Sequence, residues 1–515
     1  MDRLEIAQLL SELEPVSVVG SLHGSVSAVV FNSSDVTPGD CFVAIPGRRA
    51  DGHAFIPDAI SRGAILIVGE QPAPADFPAG ITYAQVLDSR RDLATLAAAL
   101  YGHPSHHMEV IGITGTDGKT TTTNLVDAIL TAAGRRTGLM STVDFKIGSE
   151  RIPNNSRFTT LEAPEVQRVL GQMADAHVEC AVVETTSSGL ALHRVRGVEY
   201  DVAVITNITS EHLEVHGTLE AYWRAKAMLF EAVDPGRQKP ISLNVPRACV
   251  LNADDRSFGY LRDFCRAPIL TYGIEAAADV RADDVELAAS GTRFTVRLPN
   301  GEMGEVRTSL VARFNVLNCL AAIAVGYLHG IPLSAMAETL GRFSGVAGRM
   351  ERIDSGQPFT VVVDYAHTAD SLAKVLEVLR PVTRGKLIVV FGSAGERDVV
   401  KRPEMGEVAA RLADFAIITD EDPREEDAAS ILREIAAGAQ RAGAVEFRDF
   451  ECLVGRRAGI ARAFQLARPD DTVLLAGKGH EQSIIIGREK LPWDDRKVAR
   501  EELANLGYAE ESLRR

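Results

Sequence analysis

The chain is 515 residues long, 46% apolar and 24% charged, with a formal net charge of −15. That length exceeds what one core organises at about 100–200 residues per domain, so three domains are expected. The acidic balance disfavours a broad nucleic-acid surface, which needs clustered Lys and Arg, and the composition leaves little room for extended disorder.

Short apolar runs alternate with longer amphipathic stretches, the pattern of α/β domains with largely parallel sheets. In the first unit, residues 40–45 and 64–68 read as strands. Pro72, Pro74 and Pro78 make the next segment a loop, a helix follows from Asp92 to Leu100, and Gly102-His103-Pro104-Ser105 marks a boundary near residue 107. A second unit, 108–344, opens on a strand over 109–114, followed by strands over 180–184, 202–206 and 248–252, each with a polar residue at its C-terminal tip. Ligands bind at that edge of an open parallel sheet. Glycines at 345 and 348 open a third unit, 345–515, with strands over 360–364, 386–391, 415–420 and 472–476. Its tips carry Asp364, Asp420 and, just past Gly477, Lys478 and His480, groups that a cleft facing the second unit would gather.

Six cysteines are scattered without a CxxC pair or metal-ligand spacing, as in a cytoplasmic protein with reduced thiols. The N-terminus lacks the basic and apolar regions of a signal peptide, and no run of about 18 apolar residues predicts a membrane span.

The strongest motif is Gly112-Ile113-Thr114-Gly115-Thr116-Asp117-Gly118-Lys119-Thr120. It has the Gly-Lys-Thr ending of a phosphate-binding loop, with one residue more than usual between its first Gly and Gly-Lys. A strand precedes it and a helix follows from Thr120, with Leu125, Val126, Ile129 and Leu130 on one face and Gly134 as its stop. Backbone N–H groups and the helix N-terminus would face an anion, Lys119 would meet terminal phosphates, and Thr120 would offer a hydroxyl to Mg²⁺. Glu184 ends a buried strand, where a second metal ligand or a water-orienting carboxylate would be placed beside such a loop. His212 and His216, four apart, suit either metal ligation or an exposed helical turn. Lys226 reads, on these residues alone, as a solvated helix position.

GTDGKTT from Gly115, ETTSSGL from Glu184, TNITSEHLEVHG from Thr206, NADD from Asn252, RFNVLN from Arg313, GRMERI from Gly348 and DYAHT from Asp364 stand together in order. In this the chain resembles the Mur ligase family, from about Val36 to Ala499. The resemblance implies a uridine-nucleotide-binding α/β domain, a central ATPase-type parallel sheet and a Rossmann-like C-terminal domain. It also implies amide formation through a phosphorylated carboxylate, with ATP as cosubstrate and Mg²⁺ as cofactor. Carried over position by position, Gly115, Thr116, Asp117, Gly118, Lys119, Thr120, Thr121 and Asn318 would bind ATP. Thr120, Glu184, His212 and a carbamylated Lys226 would hold the metal, and Lys119, Arg349, Asp364 and His367 would serve catalysis.

For the UDP-muramoyl dipeptide, the resemblance points to Ser33, Thr159, Thr160, Thr186 and Arg194. Here the chain departs from the family: the arginine after Ser33 is missing, Phe158 replaces Asn, Thr186 a Ser, Ser188 a His and Leu192 a Gln. Either a variant muramyl substrate or lineage drift produces that distribution. For the amino acid it points to Arg397, Glu421, Asp422, Pro423, Arg424, Gly477 and Glu481. Members that use meso-diaminopimelate show Asp-Asn-Pro-Arg where this chain has Glu421-Asp422-Pro423-Arg424; the arginine fork suits a distal carboxylate. Lysine or ornithine stays open because Asp422 replaces Asn. A folylpolyglutamate synthetase-like ligase and a nucleotide-binding module without catalysis are the competing readings, and the sequence leaves the oligomeric state open.

Overall fold

The computed structural model describes residues 3–47, 50–154, 156, 158–209, 217–236, 239, 245–288 and 291–508. The chain divides into two compact units. One comprises Met1–Asp284, Phe294–Val306 and Phe314–Gly341; the other comprises Val285–Arg293, Arg307–Arg313 and Arg342–Arg515. No helix among the described residues is long and apolar enough to cross a membrane.

The first unit opens with a five-stranded sheet in the order Ser17–Val19, Thr82–Gln85, Leu66–Gly69, Cys41–Val43, Val29–Val30. Only Ser17–Val19, at the edge, runs antiparallel to its neighbour. Alternate side chains feed two cores, Cys41 and Val43 on one face with Leu93 and Leu96, Phe42 and Ile67 on the other with Ile56 and Tyr83.

The large sheet of this chain has eleven strands. Its parallel centre runs Thr137–Met140, Cys180–Glu184, Glu109–Thr114, Val202–Ile205, Ala248–Asn252, Ile269–Gly273. These strands are nearly continuous apolar runs because both faces are covered. Helix Lys119–Ala132 stops where expected, with Gly134 at φ +84° just past its end. Helix Arg313–Leu328 buries Val316, Cys319, Leu320, Ile323 and Val325, so it has no solvent stripe.

The second unit carries a six-stranded sheet in the order Glu351–Ile353, Thr360–Asp364, Thr472–Ala476, Leu387–Phe391, Phe415–Ile418, Phe450–Cys452. All pairs but the first are parallel. Val362, Val389 and Phe391 face helices 369–379, 401–412 and 428–441; Val361, Val363, Ile388 and Val390 face helices 456–466 and 495–505. Covering both faces in this way makes a doubly wound fold, and its ligands are expected beyond the carboxyl ends of the strands.

The strands that the sequence predicts are found within a few residues of their expected places, but the buried strands Thr82–Gln85 and Thr137–Met140 are not among those it predicts. Strand Ile269–Gly273 and the strands Val280–Ala288, Gly291–Arg297 and Met303–Thr308 do not appear in the sequence reading.

Candidate active site

The loop between strand Glu109–Thr114 and helix Lys119–Ala132 is clamped from the next strand's tip. Thr116 N donates to Asn207 O at 2.8 Å, and Asp117 N to Asn207 Oδ1 at 3.1 Å. Thr206 Oγ1 donates to Asp117 O at 2.6 Å, and Thr116 Oγ1 lies 2.9 Å from the Tyr222 hydroxyl. Gly115 is required by this closeness, since a Cβ there would sit 1.8 Å from Thr206 Oγ1. Gly118 caps the helix at φ +80° without a side-chain cap, so the first-turn N–H groups remain for an anion. Lys119 Nζ donates to the carbonyls of Gly115 and Thr116 at 3.1 and 2.8 Å. Asp117 is exposed, and Asn318, on helix Arg313–Leu328, accepts from Thr122 Oγ1 at 3.2 Å.

Glu184 is fixed at the tip of its strand by three donors. Thr120 Oγ1 reaches Oε1 at 3.1 Å, and Thr142 donates to Oε2 from its N at 2.9 Å and from its Oγ1 at 3.0 Å. Thr142 is a residue that sequence reasoning missed, since only the sheet order brings it to Glu184. Lys226 corrects the reading from residues alone: it is 1% exposed, its Nζ donates to Gly115 O at 2.7 Å, and it lies 4.6 Å from the Tyr222 ring centre. Helix Leu219–Glu231 buries Tyr222, Ala225, Lys226, Leu229 and Phe230, so the signal was its helical spacing. His212 lies outside the described residues. Among the described residues no group of three or more His, Cys, Asp or Glu side chains is gathered for a metal. The hydroxyl of Thr120 and the carboxylate of Glu184 are hard oxygen donors, too few for a protein cage but fitting an ion that keeps waters and phosphate oxygens, as Mg²⁺ does. Lys226 as an ammonium is no ligand; as a carbamate it would add two oxygens.

The next layer continues from Glu184. Thr160 Oγ1 donates to Glu184 O at 3.2 Å and lies 3.0 Å from Thr186 Oγ1, while Thr142 Oγ1 reaches Thr159 Oγ1 at 3.1 Å. Arg194 pairs with Glu162 at 2.7 Å, donates to Thr160 O at 3.2 Å and places its guanidinium 4.5 Å from the Phe158 ring centre. Four residues assigned to the UDP substrate therefore join the Glu184 network. Ser33 sits instead in the N-terminal sheet's short turn, buried, where it helps to hold the exposed Asp58 carboxyl below its usual range.

In the second unit, Asp364 ties its turn to the preceding loop, accepting from Met350 N at 2.8 Å and Ala366 N at 2.9 Å. Arg349 lies 4.9 Å from the Tyr365 ring centre, and His367 Nδ1 donates to Tyr365 O at 2.8 Å. Burial pushes His367 down to about 4 and His480 down to about 3. Gly477, at φ +108°, lies against Glu421, whose burial raises its carboxyl to about 7. Lys478 is fully buried and pairs with Asp422 at 2.8 Å and Glu481 at 2.5 Å. Arg424 adopts φ +54°, 3.9 Å from Glu396, with its Nε buried and unpartnered. Arg397 is exposed on the loop before Val400. Lys478 was visible in the sequence only as a strand-tip residue, without a role.

A parallel sheet with a Gly-Lys-Thr loop at its carboxyl edge, backed by a buried carboxylate, defines a P-loop nucleotide-binding protein. Three family models match along the chain: Mur ligase family, catalytic domain, over residues 25–101; Mur ligase middle domain, over 113–326; and Mur ligase, glutamate ligase domain, over 348–479. A UDP-N-acetylmuramyl-tripeptide synthetase of Roseiflexus sp. (strain RS-1) is 47% identical over 511 residues, covering 98% of this chain and 100% of that protein. A UDP-N-acetylmuramoyl-L-alanyl-D-glutamate–2,6-diaminopimelate ligase of Bacillus velezensis is 42% identical over 504 residues, covering 98% and 99%. A solved structure of a ligase with the latter name, 26% identical, is similar at a TM-score of 0.67 over 99% of this chain and 100% of that one. The chain belongs to the Mur ligase family. As such it is an ATP-dependent enzyme that joins an acid to an amino acid.

Proposed function

We propose that this ligase adds meso-2,6-diaminopimelate to UDP-N-acetylmuramoyl-L-alanyl-D-glutamate, a step of peptidoglycan precursor synthesis. The observation that carries the reading is the continuous hydroxyl and carboxylate network from Thr120 through Glu184 to Thr160 and Thr186, which joins the phosphate loop to the residues assigned to the acid substrate. The names of the relatives support the same choice of substrates.

In this reading residues 1–107 take the uridine nucleotide, 108–344 take ATP, and 345–515 take the amino acid. A substrate carboxylate oxygen attacks the γ-phosphorus of ATP, ADP leaves, and an acyl phosphate remains. The amino nitrogen then attacks the acyl carbon, phosphate leaves with the C–O bond electrons, and the nitrogen loses a proton to give the amide. Lys119 and the N–H groups at the start of helix Lys119–Ala132 offset the charge that builds on the phosphates. Glu184 and Thr120, with His212 and the Lys226 carbamate, would hold Mg²⁺, which when bound supplies further charge neutralisation. Asp364 and His367 build the turn that holds the Arg349 loop. Arg194 is placed among the residues for the UDP-muramoyl dipeptide, and Arg424 takes the distal carboxylate of the diamino acid.

The test is phosphate release from ATP by the purified protein with UDP-N-acetylmuramoyl-L-alanyl-D-glutamate and one amino acid at a time. Release with meso-diaminopimelate is expected. Release with lysine or ornithine instead would overturn the choice of amino acid, release with a folate and glutamate would favour the folylpolyglutamate reading, and silence with every acceptor would leave a nucleotide-binding module.

A further inference from the structure

Two thiols that stand apart in the sequence, and have no part in the chemistry above, are brought together by the fold of the first unit. Cys249 lies in strand Ala248–Asn252 and is fully buried, whereas Cys265 follows helix Phe258–Arg262 and is half-buried. The return of the chain makes them neighbours. Cys249 stands in register with Ile269 and its N donates to Pro268 O at 2.9 Å, while Cys265 packs against the core that holds Cys249, Leu251, Leu261 and Ala267. The two sulfurs share a hydrogen bond; Cys249 Sγ also accepts from Ala267 N, and Cys265 Sγ lies 3.4 Å from Leu261 O.

We propose that Cys249 and Cys265 form a reversible oxidation site, which closes to a disulfide when the protein meets a low-molecular-weight disulfide. Cys265 Sγ, the sulfur that solvent reaches, attacks one sulfur of the small disulfide as a thiolate; an S–S bond forms, and the other half leaves as a thiolate that takes up the proton Cys265 has lost. Cys249 then gives up its proton and attacks Cys265 Sγ, and the second small thiol leaves with that proton. Two electrons have passed in all from the cysteine pair to the small disulfide. Access fixes this order, because Cys249 cannot meet a reagent from solvent but stands beside Cys265, so that its attack is intramolecular and fast. The hydrogen bond to Cys265, ahead of burial, holds the Cys249 thiol below its usual range; the same bond, with burial, pushes Cys265 up, which makes entry the slow step. A neighbouring thiol that captures the modified sulfur also spares it the irreversible acids further along the oxidation ladder. The site lies behind the phosphate loop's clamp: the strand of Cys249 ends at Asn252, whose Nδ2 donates to Thr206 O at 2.7 Å, and Asp255 beyond it accepts from Ile208 N at 3.2 Å.

The test uses the full-length protein, freed of reductant and incubated with hydroxyethyl disulfide; the remaining thiols are then capped with N-ethylmaleimide in denaturant and the peptides mapped by mass. A cross-link between Cys249 and Cys265 is expected, with no build-up of the hydroxyethylthio adduct on Cys265. The unfolding midpoint should rise by a few degrees, because the bond closes a loop of the unfolded chain, and dithiothreitol should return it. Cys249→Ser should leave the adduct standing on Cys265, and Cys265→Ser should leave Cys249 unmodified in the folded protein. A lasting adduct on Cys265 in the unaltered protein, cross-links shared with other cysteines, or both thiols still free after the incubation would each overturn the proposal. So would a midpoint lowered by oxidation, since the disulfide would then form only by distorting this fold.

Discussion

Gly118→Ala offers a sharp test of how the phosphate loop is held. The backbone there has φ +80°, a left-handed conformation that costs an alanine about 1 kcal/mol. The new methyl would also sit 2.4 Å from Asn318 Oδ1. Asn318 cannot swing away cheaply, because it is 3% exposed, accepts from Thr122 Oγ1 at 3.2 Å and donates to Asn315 Oδ1 at 3.0 Å. Losing one or two such bonds costs about 1–3 kcal/mol, so the total is about 2–4 kcal/mol. If ATP binding requires the native loop, that energy must be regained at each binding event, weakening affinity by about thirty- to a thousandfold. Calorimetric titration with ATP and denaturant unfolding would read the two halves. Asn318→Ala in the Gly118→Ala background should return the steric part but not the dihedral part, a non-additivity that a double-mutant cycle exposes. ATP affinity within twofold of the unaltered protein, with unchanged stability, would refute the account.

Lys226→Ala should abolish most phosphate release, and short carboxylates such as acetate should restore part of it; absence of rescue would count against a carbamate at that position. Arg456→Met should cost about 3–5 kcal/mol in unfolding, because Asp495, fully buried and held by Arg456 at 2.8 and 2.6 Å, would lose its cationic partner and keep only the Trp493 Nε1 donor at 2.8 Å. Asp495→Leu added to that variant should recover much of the loss. On acidification from about pH 6.5 towards 4, the second unit should lose stability, since the folded state keeps His367 and His480 neutral while the unfolded chain takes up their protons. Glu421 works in the opposite sense, losing stability as pH rises through about 7, and Asp420, also raised by burial, acts with it, so the deeper depression of the two imidazoles sets the net direction. His480→Asn should flatten the acid limb of unfolding midpoint against pH.

What was legible in the sequence follows from burial. Strands such as Val202–Ile205 and Leu387–Phe391 are covered on both faces, so they read as unbroken apolar runs bounded by polar tips. Val280–Ala288 and Met303–Thr308 are exposed along much of one face and full of Asp, Glu and Arg, so neither run length nor apolar content announces them. The phosphate loop was legible because its chemistry is local, a matter of spacing along one segment. Thr142, Asn207 and Tyr222 serve the same site from elsewhere in the chain, placed there by sheet order and helix packing, which no spacing encodes. Lys226 falls between these cases: its helical spacing marks a buried face, but a lysine on such a face is so often solvated that composition argues the other way.

The pair of Arg456 and Asp495 also bears on how the second unit is made. Arg456 donates to the carbonyls of Asp420 and Ala476, the residues that lead into Glu421 and Gly477, while Asp495 opens the last described helix. The strand tips that carry residues proposed to bind the amino acid are therefore braced by a group synthesised late. During vectorial synthesis the sheet stays in two pieces until Thr472–Ala476, which pairs with both Thr360–Asp364 and Leu387–Phe391, has emerged, and the guanidinium lacks its carboxylate until helix Asp495–Asn505 follows. The centre of this fold and the brace behind its proposed amino-acid pocket would therefore both wait for the chain beyond residue 471, since Val498, Ala499 and Leu503 of that helix also complete a core.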